Sequence, residues 1–230
     1  MVDRITNEVR VHHGDQGFTR GELGRPRLRK SDPVLRFYSY SGLTQHYLRN
    51  SQDYLNSLEL GQWCDMSQTV RRFTSDTILF LDWLDDVLFY LNGVIHSVYK
   101  IDFNKIKAVN KLKPVTSEME TLVSKFKEVE FHLISEKSSE FVKANCQINL
   151  LREYIRMTES QFWVVVDKLK LNEAFRYVER VMPYLEIISA FLNRCSDYFY
   201  WYMKMLNAYT NNQPYGQWCS TIPKFSFGLK

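Results

Sequence analysis

The chain has 230 residues and a mass of 27.4 kDa, with 45% hydrophobic residues, 15% aromatics, nine Gly and six Pro, which excludes a disordered, collagen-like or low-complexity protein and leaves room for an ordinary buried core. Its 30 basic and 26 acidic residues give a net charge of +4, too little by itself to imply a nucleic-acid partner. Cys64, Cys146, Cys195 and Cys219 are far apart and form no Cys-x-x-Cys pair, so neither a zinc ribbon nor a redox pair is expected. No run reaches the roughly 18 apolar residues of a membrane span, and the polar start MVDRITNEVR lacks the apolar centre of a signal peptide. These features predict a soluble cytoplasmic protein with no membrane partner.

Residues 1–33 hold four of the nine glycines and a series of arginines, a composition that resists helix and suits an ordered, ligand-clamping arm. Asp32-Pro33 then opens a helix predicted from Val34 to about Leu60, with Leu43, Tyr47, Tyr54 and Leu58 on one side. Phe73, Thr77, Phe80, Leu84, Val87, Leu91, Val94 and Val98 advance in steps of four and three, predicting a second long helix. A shorter one is expected over Ser117–Lys127, after Pro114 ends a linker. The fourth stripe runs Phe141, Ala144, Ile148, Leu151, Ile155, Thr158, Phe162, Val165, Leu169, and the fifth from Val178 to Leu206 with Pro183 either kinking that helix or starting it. Residues 209–230 return to Gly, Pro and Asn between aromatics and are expected as an extended tail on the bundle. No strand is required. The expected fold is all-α, a five-helix up-and-down bundle spanning 34–208 between the arm and the tail.

Bundles do not specify function, so it must be sought in residues that packing leaves unexplained. No Glu is followed three residues later by His, which removes the di-iron signature of such bundles; nucleophile-elbow and Walker motifs are absent as well. Three polar clusters remain. Arg152, Arg156 and Glu159 share a face of the fourth helix, where they could equally be a solvated flank with an Arg156–Glu159 ion pair. Asn193, Ser196 and Asp197 flank the fifth stripe, as surface or interhelix polar groups. The segment GDQGFT, 14–19, is either a turn or a loop of backbone amides suited to an anion, with arginines and Lys30 nearby.

Taken in order, HGDQGFT at 13–19, KSDP at 30–33 followed by Tyr38, LFYLNG at 88–93, LREYIRMTES at 151–160 and FLNRCSD at 191–197 resemble the PduO-type ATP:cob(I)alamin adenosyltransferase family over about residues 10–207. That resemblance implies a homotrimer of five-helix bundles with ATP, as its magnesium complex, bound between subunits, and transfer of the 5′-deoxyadenosyl group of ATP to the cobalt of a reduced cobalamin or related corrinoid, releasing triphosphate. It implies that Gly14, Asp15, Gly17 and Thr19 form the phosphate loop and that Lys30 helps hold the triphosphate. Arg152 and Arg156 would be the catalytic, ATP-contacting cations, Glu159 and Asn193 would assist nucleotide binding, and Phe131 would lie against the corrinoid. The chain departs from the family pattern at Gln16 in place of the loop lysine, Gly42 in place of an aspartate that pairs with the first arginine, Gln45, Asn149, Met157 and Ser160. A non-catalytic trimeric homologue, binding nucleotide or corrinoid or serving as an interaction module, is the alternative expectation; no nucleic-acid partner is expected.

Overall fold

The computed structural model describes residues 18–19, 28–61, 68–100, 102–128, 132–133, 139–171, 177–206 and 208–209. Five long helices carry it: α1 (Pro33–Gly61), α2 (Gln68–Lys100), α4 (Leu112–Lys127), α5 (Ser139–Lys170) and α6 (Val178–Leu206). A short helix, α3 (Phe103–Lys107), and a 3₁₀ turn (Ala108–Lys111) bridge α2 to α4. Beyond helices, the described residues contain two antiparallel ladders of two-residue strands, too short to bury a face of their own. β1 (Phe18–Thr19) pairs with β2 (Leu28–Arg29), and β3 (His132–Leu133) with β4 (Ala208–Tyr209).

The start of α1 has a local cause. Pro33 is the first residue of α1, where its missing amide hydrogen costs nothing, and the Asp32 carboxylate caps the helix by accepting from the Val34 amide at 3.0 Å. The other Asp32 oxygen meets Lys168 of α5, which fastens the start of α1 to the end of α5. The expected linker before Ser117 is helical instead, and α4 starts at Leu112 with Pro114 inside its first turn. Proline is tolerated there because the first amides of a helix have no carbonyl partner within it. Pro183 falls within α6, which begins five residues before it at Val178; only the bond to the Glu179 carbonyl is forgone.

The helices alternate in direction. Asp32, Phe37, Thr44 and Tyr47 of α1 meet Lys168, Phe162, Thr158 and Tyr154 of α5, so the pair is antiparallel. Helix α6 runs antiparallel to both α5 and α2, and α4 lies along α6 in the same sense through Glu120–Arg194 and Phe126–Trp201. The most extensive helix pair is α1 with α5. Small side chains account for it: Ser41, Thr44 and Ser51 of α1 and Thr158 of α5 are buried at the contact face. Thr44 and Thr158 hydrogen-bond to each other at 2.8 Å, while Thr44 and Ser51 also donate to carbonyls one turn back. The hydroxyls of Thr44, Thr158 and Ser51 are thereby satisfied without water, whereas that of Ser41 is buried without a hydrogen-bond partner. The α2–α6 contact is built from large rings instead. Phe80 packs on Tyr198 and Phe199, and Trp83 on Phe191, which holds the two backbones further apart. The Tyr198 hydroxyl closes this contact on Thr77 at 2.7 Å.

The expected stripes of α2, α5 and α6 are the buried ones wherever their side chains are described. That of α1 is not. Its core residues are Val34, Phe37, Ser41, Thr44, Leu48, Ser51 and Leu55, whereas Leu43 and Tyr54 are exposed and Tyr47 is half-buried, stacked on Tyr154 at 4.4 Å between ring centroids. Hydropathy favoured the wrong side of α1 because three of its seven core positions carry hydroxyls. The tail and most of the arm lie outside the described residues.

A Cβ added at Gly42, inside α1, meets nothing within 4 Å. Gly42→Ala should therefore stabilise the protein by about 0.5–1 kcal/mol, through helix propensity alone, read as a rise in thermal midpoint. Tyr198→Phe should cost about 1–2 kcal/mol in urea unfolding, since it removes a buried hydroxyl pair.

Candidate functional site

Helices α5 and α6 each carry a second stripe beside the buried one. On α5 it is Arg152, Arg156, Glu159 and Trp163; on α6 it is Ser189, Asn193, Ser196 and Tyr200. Both advance by four, three and four residues, and because the helices are antiparallel the two stripes face one another across the outer seam of the pair. At one end the Arg152 guanidinium lies 5.3 Å from the centroid of the Tyr200 ring, a cation–π distance. At the other, the Trp163 indole donates to the Ser189 hydroxyl and Ser189 donates to the Glu159 carboxylate, each at 3.0 Å. Trp163, Ser189 and Glu159 therefore form one directed chain.

Between these ends stands Glu153. Its carboxylate accepts from Arg152 at 2.7 Å and lies 3.6 Å from Arg156, so a single acidic group bridges both guanidiniums. The expected Arg156–Glu159 pair is replaced by this arrangement, since Glu159 turns toward Ser189 instead. Arg152 is the more enclosed cation, with 22% of its side chain exposed against 55% for Arg156, and its Nε is buried without a hydrogen-bond partner. Lys204 lies 4.8 Å from the Tyr200 centroid and 4.7 Å from that of Trp201, extending the positive end of the seam. Arg194 is held by Glu120 of α4 and by Asp197.

Burial raises the Glu159 carboxyl above its ordinary range; the Ser189 hydrogen bond and the Arg156 charge oppose that shift, and the nearby Asp197 adds to it. Behind the seam, Cys195 is fully buried and burial pushes its thiol well up, which removes it as a nucleophile at neutral pH.

The sequence-predicted residues separate into groups. Arg152, Arg156 and Glu159 come together on α5, and Asn193 stands on the facing stripe of α6 with its side chain exposed. Lys30 is exposed in the turn before α1 and does not join them within one chain. The Asp32–Lys168 pair places that turn beside the end of α5, and Lys168 is twelve residues, about 18 Å, along the helix from Arg156. Gly14, Asp15, Gly17 and Phe131 lie outside the described residues; Thr19 is in β1 opposite Leu28, its side chain not described. Glu153, Ser189 and Trp163 were missed. For Ser189 the signal existed, because it lies on the four-three-four path through Asn193.

Among the described residues no group of three His, Cys, Asp or Glu could hold a metal ion, and no helix is long and apolar enough to cross a membrane. Compared with known proteins, the chain matches no family model, no curated protein and no solved structure.

A raised carboxyl favours the protonated form in the folded state. The stability it contributes is present below the unfolded-state pKa and lost as pH rises through the higher folded-state value. Glu159→Gln, which keeps the acceptor for Ser189 without the charge, should gain stability relative to wild type between pH 4 and pH 7. Paired thermal melts across that range check the sign.

Proposed function

We propose that the chain is a divergent ATP:corrinoid adenosyltransferase working as a trimer, in which the amino-terminal arm of one protomer meets the α5–α6 seam of its neighbour around the triphosphate of ATP. The observation that carries this reading is the seam itself: two arginines one turn apart, with Glu159 and the Asn193 stripe beside them, on adjacent antiparallel helices of an up-and-down bundle. The distance of Lys30 from the arginines within one chain supports a site completed between protomers, because the turn that carries Lys30 lies beside Lys168, about 18 Å along α5 from Arg156. The motifs at 13–19, 30–33, 151–160 and 191–197 support it independently.

In this reading the cobalt of the fully reduced corrinoid is the nucleophile and attacks the 5′ carbon of ATP. A cobalt–carbon bond forms from the metal's electron pair, the bond from that carbon to the triphosphate oxygen breaks, and triphosphate leaves with the bonding electrons. The chain need supply neither nucleophile nor general base. Arg152 and Arg156 neutralise charge on the leaving group, Tyr200 and Trp163 give the seam flat apolar walls, and binding holds cobalt and carbon in line. Magnesium would travel on the phosphates of the nucleotide.

The deciding experiment supplies ATP and chemically reduced cobalamin and follows the light-sensitive adenosylated product together with triphosphate. Stoichiometric formation of both is expected, and Arg156→Ala should slow turnover about 10- to 100-fold, the value of one charge-assisted contact. Absence of product at saturating substrates would refute catalysis. A second reading, a nucleotide-binding relative without catalysis, is favoured by Gln16 and Gly42, which withdraw charges from the expected pocket. In that case ATP raises the melting temperature, Arg156→Ala abolishes the rise, and no product forms.

A further inference from the structure

We infer that Glu153 is a built-in competitor for the anionic ligand of the arginine pair, occupying with its own carboxylate the position that a phosphate group takes when the site fills. This rests on the reading of Arg152 and Arg156 as a polyanion site, and it adds the group that sets the site's affinity. Three observations lead to it. First, the Glu153 carboxylate bridges the two guanidiniums, at 2.7 Å from Arg152 and 3.6 Å from Arg156, which is the place where a phosphate oxygen would gain most from both charges. Second, the bridge is weakly held. Glu153 is 45% exposed and Arg156 55% exposed, and ion pairs of such exposure are individually weak, so a ligand carrying several negative charges can displace the carboxylate. Third, Arg152 has a support besides Glu153, because its guanidinium lies 5.3 Å from the centroid of the Tyr200 ring. Removing the carboxylate would leave this cation in place and the site open.

The consequence is selectivity by charge. A ligand with one negative charge exchanges one carboxylate-like contact for another and gains little, whereas a triphosphate replaces Glu153 and has further oxygens to place.

The test is titration calorimetry of the full-length protein with ATP, inorganic tripolyphosphate and inorganic phosphate, in wild type, Glu153→Gln and Asp167→Asn. The last removes an exposed acidic charge elsewhere on α5 and controls for net charge. Glu153→Gln should bind ATP and tripolyphosphate about three- to tenfold more tightly, the worth of two exposed ion pairs, should narrow the preference for tripolyphosphate over phosphate, and should leave the melting temperature of the free protein nearly unchanged. Asp167→Asn should change affinity less than twofold. If Glu153→Gln binds equally or more weakly, or gains no more than Asp167→Asn, Glu153 is not a competitor and the proposal falls while the polyanion site stands. If neither wild type nor Glu153→Gln binds any of the three probes at millimolar concentration, the polyanion site fails and the proposal with it.

Discussion

Helix α5 is wedged between two antiparallel neighbours, and that constraint organises the rest of the molecule. Its buried stripe, Ala144 to Leu169, must serve a core shared with both α1 and α6. An α-helix with two neighbours has two outer seams, one against each. Toward α1 the seam carries Tyr154, stacked on Tyr47; toward α6 it carries Arg152, Arg156, Glu159 and Trp163. On the α6 side the facing positions offer hydroxyls and an aromatic face, with which the arginines and Glu159 can be half-buried at low cost.

The two flanks of the core use opposite solutions to the same packing problem. Small hydroxyl residues bring α1 close to α5, at the cost of burying polar groups that need partners; the Thr44–Thr158 bond with the donations one turn back meets that need for all but Ser41. Between α2 and α6, rings fill a wider gap, and Tyr198 and Tyr202 reach across it to Thr77 and Thr74. In both places a buried hydroxyl pair specifies register more tightly than apolar contact would, since a slipped helix would leave it unsatisfied. That register is what sets the two stripes of the seam opposite each other.

The electrostatics of the seam are close to balanced in the absence of a ligand. Glu153 holds both arginines of α5, and Glu120 and Asp197 hold Arg194. The cations of the seam are therefore not bare but already paired with carboxylates. This arrangement limits the repulsion between the neighbouring guanidiniums of Arg152 and Arg156.

The linear chain by itself determined the helices: stripes with three-four spacing in α2, α5 and α6 are nearly self-sufficient signals, because a long apolar stripe has to be buried. It also determined that Arg152, Arg156 and Glu159 share a face, since α-helical geometry leaves no alternative. What it could not determine was which side of α1 is inside, because Ser41, Thr44 and Ser51 read as surface until α5 is packed over them, with Thr158 and backbone carbonyls as partners for Thr44 and Ser51. Nor could it find the Arg152–Glu153 contact, as adjacent residues on a helix point in different directions, or the placement of that guanidinium over Tyr200 of another helix. Partnerships between helices were decided by tertiary structure alone, for the physical reason that a polar side chain's partner is chosen by proximity in space, and periodicity carries no record of that.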